Sequence, residues 1–208
     1  MRLIQKLWVC TLAMLLMLSS GATLATTVDI AGVKFEDSIM LDGTKLQLNG
    51  AGVRTRLLFK VYAAGLYTTK KVHSFEEFMA APGPKRMKMV FLREIDSSTF
   101  GKLLTRGVQD NVTKEQLSPM VPGLLRMGEM FNANKAFVSG ESNIIDWIPG
   151  KGLVITVKDK VQGEPIKEIE FFRGLMSVWF GPSPADGKLR DALLDIKQSG
   201  TSGTTASP

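Results

Sequence analysis

The side chains best suited to chemistry are gathered in one run, GAGVRTRLLFKVYAAGLYTTKK, from Gly50 to Lys71. There Arg54, Arg56 and Lys60 stand among Leu, Phe, Val and Ala, with Tyr62 and Tyr67 close behind. Such a run is either a sheet strand with a solvated face or a binding surface. Read as one regular strand, alternation sends Arg54, Arg56, Leu58, Lys60 and Tyr62 to one face and Val53, Thr55, Leu57, Phe59, Val61 and Ala63 to the other. A half-buried strand with its charged side in water has the same pattern, and periodicity taken alone favours that reading over a binding surface.

Other chemistries find little material. His73 is the single histidine; it sits beside a helix start with no Asp or Ser patterned to form a triad, and reads as an exposed loop residue. The single cysteine, Cys10, lies in an apolar leader, so a processed chain offers no disulfide, thiolate or cysteine metal site. Asp29, Glu36, Asp37 and Asp42 lack the spacing of a calcium loop, and no metal or other cofactor is expected. Gly50-Ala51-Gly52 precedes a strand pattern rather than a helix, which removes the helix N-terminus that a nucleotide phosphate needs. Asn111-Val112-Thr113 fits a glycosylation acceptor whose use depends on the host.

The elements that must position the run follow from periodicity. TVDIAGVKF and TKLQLNG read as short strands joined across Asp42-Gly43, and Gly50 to Thr69 as a longer one. KRMKMVFLR follows, with Met87, Met89 and Phe91 on one side; before it, Ser74 and Glu77 form a capping-box start for a short helix. From Asp96 the period becomes helical, with Phe100, Leu103, Leu104, Gly107 and Val108 on one stripe. Lys114 to Phe131 is a second helical region broken by Pro119 and Pro122. LVITVKD and EPIKEIEF suggest a hairpin, and FFRGLMSVWF and PADGKLRDALLDI close the chain as helices. Strands grouped early and late with helices segregated between and after them define an α+β class, an antiparallel sheet carrying helices on one face.

Residues 1–25 read as a secretory signal. Arg2 and Lys6 flank a charged start, Leu7 to Leu18 is almost wholly apolar, and Thr23-Leu24-Ala25 supplies small residues for cleavage. That apolar core is short of the roughly 20 residues a membrane span needs, so the expectation is a periplasmic or secreted domain over 26–197, with no transmembrane segment once the signal is cleaved. The polar tail from Gln198 is expected to be disordered. Formal charge is +6, and loss of Arg2 and Lys6 with the signal leaves +4. Lys70-Lys71 and Lys85-Arg86 with Lys88 lack interleaved aromatics and read as solvated strand edges, so no nucleic-acid partner is expected.

Ala51-Gly52-Val53-Arg54, followed by Lys60-Val61-Tyr62-Ala63-Ala64-Gly65-Leu66-Tyr67, resembles the chalcone isomerase superfamily, with its glycine-rich segment ending in arginine and its K-[FV]-[TY]-A-x-G-[VL]-Y strand. Phe171 to Leu194, with Trp179-Phe180-Gly181-Pro182 and then Leu189 to Leu194, is similar to the family's closing helices. The resemblance implies an open-faced sandwich over nearly the whole mature chain. Members that cyclise chalcones use the motif arginine, a strand threonine, a tyrosine and asparagine one helical repeat apart, and a threonine in the penultimate helix. This chain keeps Arg54 but has Tyr62, Phe100, Gly107 and Val178, or neighbouring Ser177, at the matching places. Chalcone cyclisation is therefore not expected.

Arg54 with Tyr62 instead resembles the non-catalytic fatty-acid-binding branch. That implies a fatty acid or other amphipathic carboxylate as ligand, with Arg54 as anion anchor, Tyr62 as second donor and Phe100, Leu104 and Val178 as cleft walls. Met120, Met127 and Met130 are candidates for an adaptable tunnel, although methionines at helical spacing are more often core. Two other classes stay open: an isomerase or lyase acting on a small unsaturated acid with Tyr62 as proton donor, and a partner-binding scaffold whose cleft is filled. Eight residues of straight strand at about 3.3 Å each would hold Arg54 and Tyr62 roughly 26 Å apart. Joint action thus requires a bend, bulge or reversal between Arg54 and Lys60.

Overall fold

The computed structural model describes residues 26–196; the expected signal segment and the polar tail lie outside them. Strands β1 (Thr27–Ile30) and β2 (Val33–Glu36) form a small hairpin, so TVDIAGVKF is two strands rather than one. Ala31 and Gly32 make its turn at φ 54° and 83°, and the Gly32 amide donates to Asp29 Oδ1.

The principal sheet has seven antiparallel strands, β3 (Ser38–Leu41), β4 (Thr44–Arg56), β5 (Phe59–Thr68), β6 (Lys85–Phe91), β9 (Ser142–Ile148), β10 (Gly152–Val157) and β11 (Lys160–Val161), in the order β11-β10-β9-β6-β5-β4-β3. A two-residue pair, β7 (Ile95–Asp96) with β8 (Ala136–Phe137), stands apart. The helices are α1 (Phe75–Ala80), α2 (Ser97–Gln109), α3 (Lys114–Leu117), α4 (Val121–Asn132), α5 (Ile169–Phe180) and α6 (Gly187–Leu193). This is an α+β fold, a curled antiparallel sheet with helices packed on it.

Alternation along β5 and β6 builds the core. Tyr62, Ala64, Leu66, Met87, Met89 and Phe91 point toward the helices, where they meet Phe100, Phe131, Phe172 and Trp179. Ala63 and Tyr67 point the other way, into a smaller cluster with Phe35, Leu46 and Ile148 beneath the β1–β2 hairpin. Met120 and Met127 are buried in the larger cluster and Met130 packs against it. The helix starts obey their caps: Asp96 Oδ1 accepts from the Thr99 amide at 2.7 Å and Ser74 Oγ from the Glu77 amide at 3.1 Å. Asn111 spends its side-chain amide inside the fold, donating to the Gly107 and Ser183 carbonyls.

Three further expectations need correction. Gly50 to Thr69 is not one strand: β4 runs without a break from Thr44 to Arg56, the chain reverses at Leu57-Leu58, and β5 returns alongside it. EPIKEIEF supplies only an Ile166–Leu153 bridge before α5 begins at Ile169. Lys85-Arg86 is no solvated edge, because β6 lies inside the sheet between β5 and β9. Lys85 is buried, donates from Nζ to the Ala81 carbonyl, and is pushed down in pKa by desolvation. Arg86 forks Asp146 on β9 at 2.7 and 2.6 Å.

Candidate ligand-binding site

The β4–β5 hairpin brings Arg54 and Tyr62 together. The reversal at Leu57-Leu58 makes them direct cross-strand partners, and Val61 is left unpaired between the Arg54–Tyr62 and Thr55–Lys60 pairs, a bulge just beside them. Arg54 Cζ lies 5.7 Å from the centroid of the Tyr62 ring. The reversal that joint action demanded is therefore present, in the form of a tight hairpin.

Their environments differ sharply. Tyr62 is fully buried, edge-on to Phe91 and Phe100 at 6.2 and 6.4 Å, and its hydroxyl accepts from Trp179 Nε1 at 2.8 Å. Burial pushes the phenol above its usual pKa, opposed by the Arg54 guanidinium and the Trp179 hydrogen bond, so it stays protonated throughout the physiological range. Arg54 is only half-buried. Its Nε is out of contact with solvent yet has no hydrogen-bond partner, and it forms no ion pair among the described residues. A buried guanidinium donor without an acceptor costs free energy on the order of 1–3 kcal/mol, and this one stands where two clefts meet.

The first cleft, of about 230 Å³, runs between the hairpin and the start of α2; Arg54, Val61, Ile95, Phe100 and Leu103 are among its walls. The second, of about 410 Å³, continues on the other side of Arg54 along the end of α2, bounded by Leu103, Leu104, Gly107, Val178 and Pro184. Arg54, Arg56 and Leu103 line both. Of the residues expected at a site, Arg54 lines both clefts, Phe100 the first, and Leu104 and Val178 the second, while Tyr62 lines neither and forms the floor under Arg54. Met120, Met127 and Met130 line neither cleft.

Interior space behind the clefts is filled by aromatic rings. Phe91 and Phe137 stack at 4.6 Å, and Phe100 and Phe131 meet edge-on at 5.5 Å. A β-carbon at Gly107 would lie 2.9 Å from Val178 Cγ1, so these two positions pack directly against each other without a polar atom between them. Ser177 turns back into its own helix, donating to the Gly174 carbonyl at 2.6 Å.

Arg56, Arg93 and Phe59 also line the first cleft, and none of them is among the site residues expected from the sequence. The signal for Arg56 was present in the i, i+2 spacing from Arg54 on a regular strand. Phe59 opens β5 and Arg93 follows the end of β6, and the antiparallel pairing of those two strands makes them neighbours. Trp179 could have been anticipated, because a buried indole N–H needs an acceptor and the chain has only Tyr62 and Tyr67 as phenols.

A curled seven-stranded sheet with helices on one face, and a half-buried arginine lining two clefts where sheet meets helix, define an open-faced α+β domain. The chain belongs to the chalcone isomerase-like family, whose sequence pattern it matches over residues 27–195. Among solved structures it is similar to a fatty-acid binding protein of Arabidopsis thaliana, with a TM-score of 0.63 and 18% sequence identity over 82% of this chain and 96% of that one. No curated protein matches the sequence.

Proposed function

We propose that this protein binds a fatty acid or a similar amphipathic carboxylate, without turning it over, with the carboxylate at Arg54 and the chain in the adjoining clefts. The observation that carries this reading is the half-buried Arg54 side chain, which lines both clefts and forms no ion pair among the described residues. A carboxylate in either cleft would give the guanidinium a charged partner, and Arg56 adds a second cation on the same walls. The first cleft alone is smaller than the usual ligand site of about 300–1,000 Å³ and the second is at the small end of that range, and both share Arg54, Arg56 and Leu103 as walls. The fatty-acid binding protein of Arabidopsis thaliana, which shares the fold, supports the ligand class. Absence of turnover is supported by Phe100, Gly107 and Val178, which put no polar side chain at three of the positions matched to the chalcone-cyclising residues.

The reading includes export, on the strength of the apolar leader before Thr26. Native mass spectrometry of protein purified from its host tests both parts. The mature chain is expected to start near Thr26 and to carry a co-purified carboxylic acid that Arg54→Ala loses by at least tenfold, the scale of a charged hydrogen bond. Equal ligand content in mutant and wild type would remove Arg54 from the site.

A further inference from the structure

The tip of the β4–β5 hairpin is built against ordinary stability. Leu57, Leu58 and Phe59 are 87, 94 and 58% exposed and consecutive, whereas Met40 and Leu125 stand singly on the surface. Leu57 also holds φ at 56° while Leu58 stays outside the positive region. It therefore occupies the first position of a two-residue turn where glycine is the unstrained choice. A strained apolar residue in water is retained where something other than the folded monomer uses it.

Charge tells what that is. Arg56, Lys60 and Arg93 surround the tip, all exposed, and none forms an ion pair among the described residues. Arg93 Cζ lies 4.8 Å over the Phe59 ring, which holds that ring beside the collar. Glu94 on the cleft wall and Asp186, which accepts from the Thr55 amide, supply the negative charge nearby. A tip-to-tip second copy would set this cationic collar against itself. A polar anion would leave two leucines in water. An apolar point inside a basic ring is complementary to the interface of an anionic bilayer, with acyl chains below and phosphates around.

We propose that the β4–β5 tip is a docking element for an anionic lipid bilayer, with Leu57, Leu58 and Phe59 entering the interface and Arg56, Lys60 and Arg93 meeting the phosphates. Leu57 and Phe59 also line the first cleft, so docking sets the mouth of that cleft at headgroup level. The proposal holds whether or not the cleft takes a carboxylate.

Sedimentation of the purified protein with vesicles tests it, using phosphatidylglycerol mixed with phosphatidylcholine against phosphatidylcholine alone. Wild type is expected to sediment with the anionic vesicles and to be released by salt. L57S/L58S should weaken that binding at least about tenfold, from the apolar area withdrawn, and K60Q about fivefold. Thermal midpoints of both variants should match or exceed wild type, which keeps unfolding out of the result. Tryptophan emission added by Leu58→Trp should shift to the blue with anionic vesicles only. Three outcomes overturn the proposal: no sedimentation of wild type, equal binding by L57S/L58S, or loss of self-association in L57S/L58S with vesicle binding unchanged.

Discussion

The two ends of the β4–β5 hairpin are built on opposite principles. At the end near Thr44 and Thr68, polar groups are satisfied and the backbone is packed. Asn49, an extra residue between the Leu48–Tyr67 and Gly50–Leu66 pairs, donates to the Val72 and Leu193 carbonyls at 2.9 and 2.7 Å and accepts from the Val72 amide at 2.8 Å. At the tip, Leu57 is strained, its neighbours are wet, and the cations have no carboxylate partners. One strand pair thus carries a structural end, packed and satisfied, and a tip that leaves apolar side chains and unpaired cations in water. Arg54 and Tyr62 lie between, one facing each regime.

The largest effect should come from the structural end. A β-carbon on Gly50 would collide with the Ala192 carbonyl oxygen and come within 2.8 Å of the Leu193 oxygen, both backbone atoms at the end of α6. The glycine-rich segment therefore serves helix docking on β4. Gly50→Ala is expected to cost about 3 kcal/mol in urea unfolding, the upper range for overpacking, because neither backbone oxygen can swing aside. A loss within experimental error would mean that α6 is not held against β4 as described.

Next comes the middle of the hairpin. Tyr62→Phe keeps the ring but strips Trp179 Nε1 of its acceptor in a dry site. The expected cost is about 1.5 kcal/mol, with a changed near-ultraviolet circular dichroism signal from Trp179. Retained ligand should change far less than in Arg54→Ala, since Tyr62 lines neither cleft. Equal ligand loss in both variants would make the phenol a direct contact and revive its role as a donor.

Much of this was legible in the sequence, and the losses have physical causes. The helical stripe at Phe100, Leu104 and Val108 and the cap at Asp96 are local signals, and they locate α2. The class of fold followed from the order of elements. The interior strand β9 has no clear signal because Asn143 and Asp146 interrupt its apolar run; Asp146 is buried with Arg86, sixty residues away, as its partner. The β4–β5 reversal escaped because Leu57-Leu58 has no Gly, Asn or Asp to announce a turn, so alternation ran through it. The site suffered with it: the resemblance named Arg54 as a candidate anion anchor, but its distance from Tyr62 depends on a turn written in residues that disfavour turns.

That same absence gives the smallest effect and the sharpest contrast between the two ends. Leu57→Gly removes a side chain from a residue at φ 56°, where an L-residue costs about 1–2 kcal/mol and glycine none. Against this stands the greater backbone entropy glycine loses on folding, about 0.5–1 kcal/mol. Leu57 is almost wholly in water, so little packing is lost. The net expectation is a gain of about 0.5–1 kcal/mol, read as a higher urea midpoint with an unchanged slope. Glycine helps at the tip for the reason alanine harms at Gly50: at Gly50 the fold needs the missing side chain, whereas at position 57 the fold would do better without the one it has. A stability loss in Leu57→Gly would assign the leucine a packing role in the folded chain and erase the distinction between the two ends.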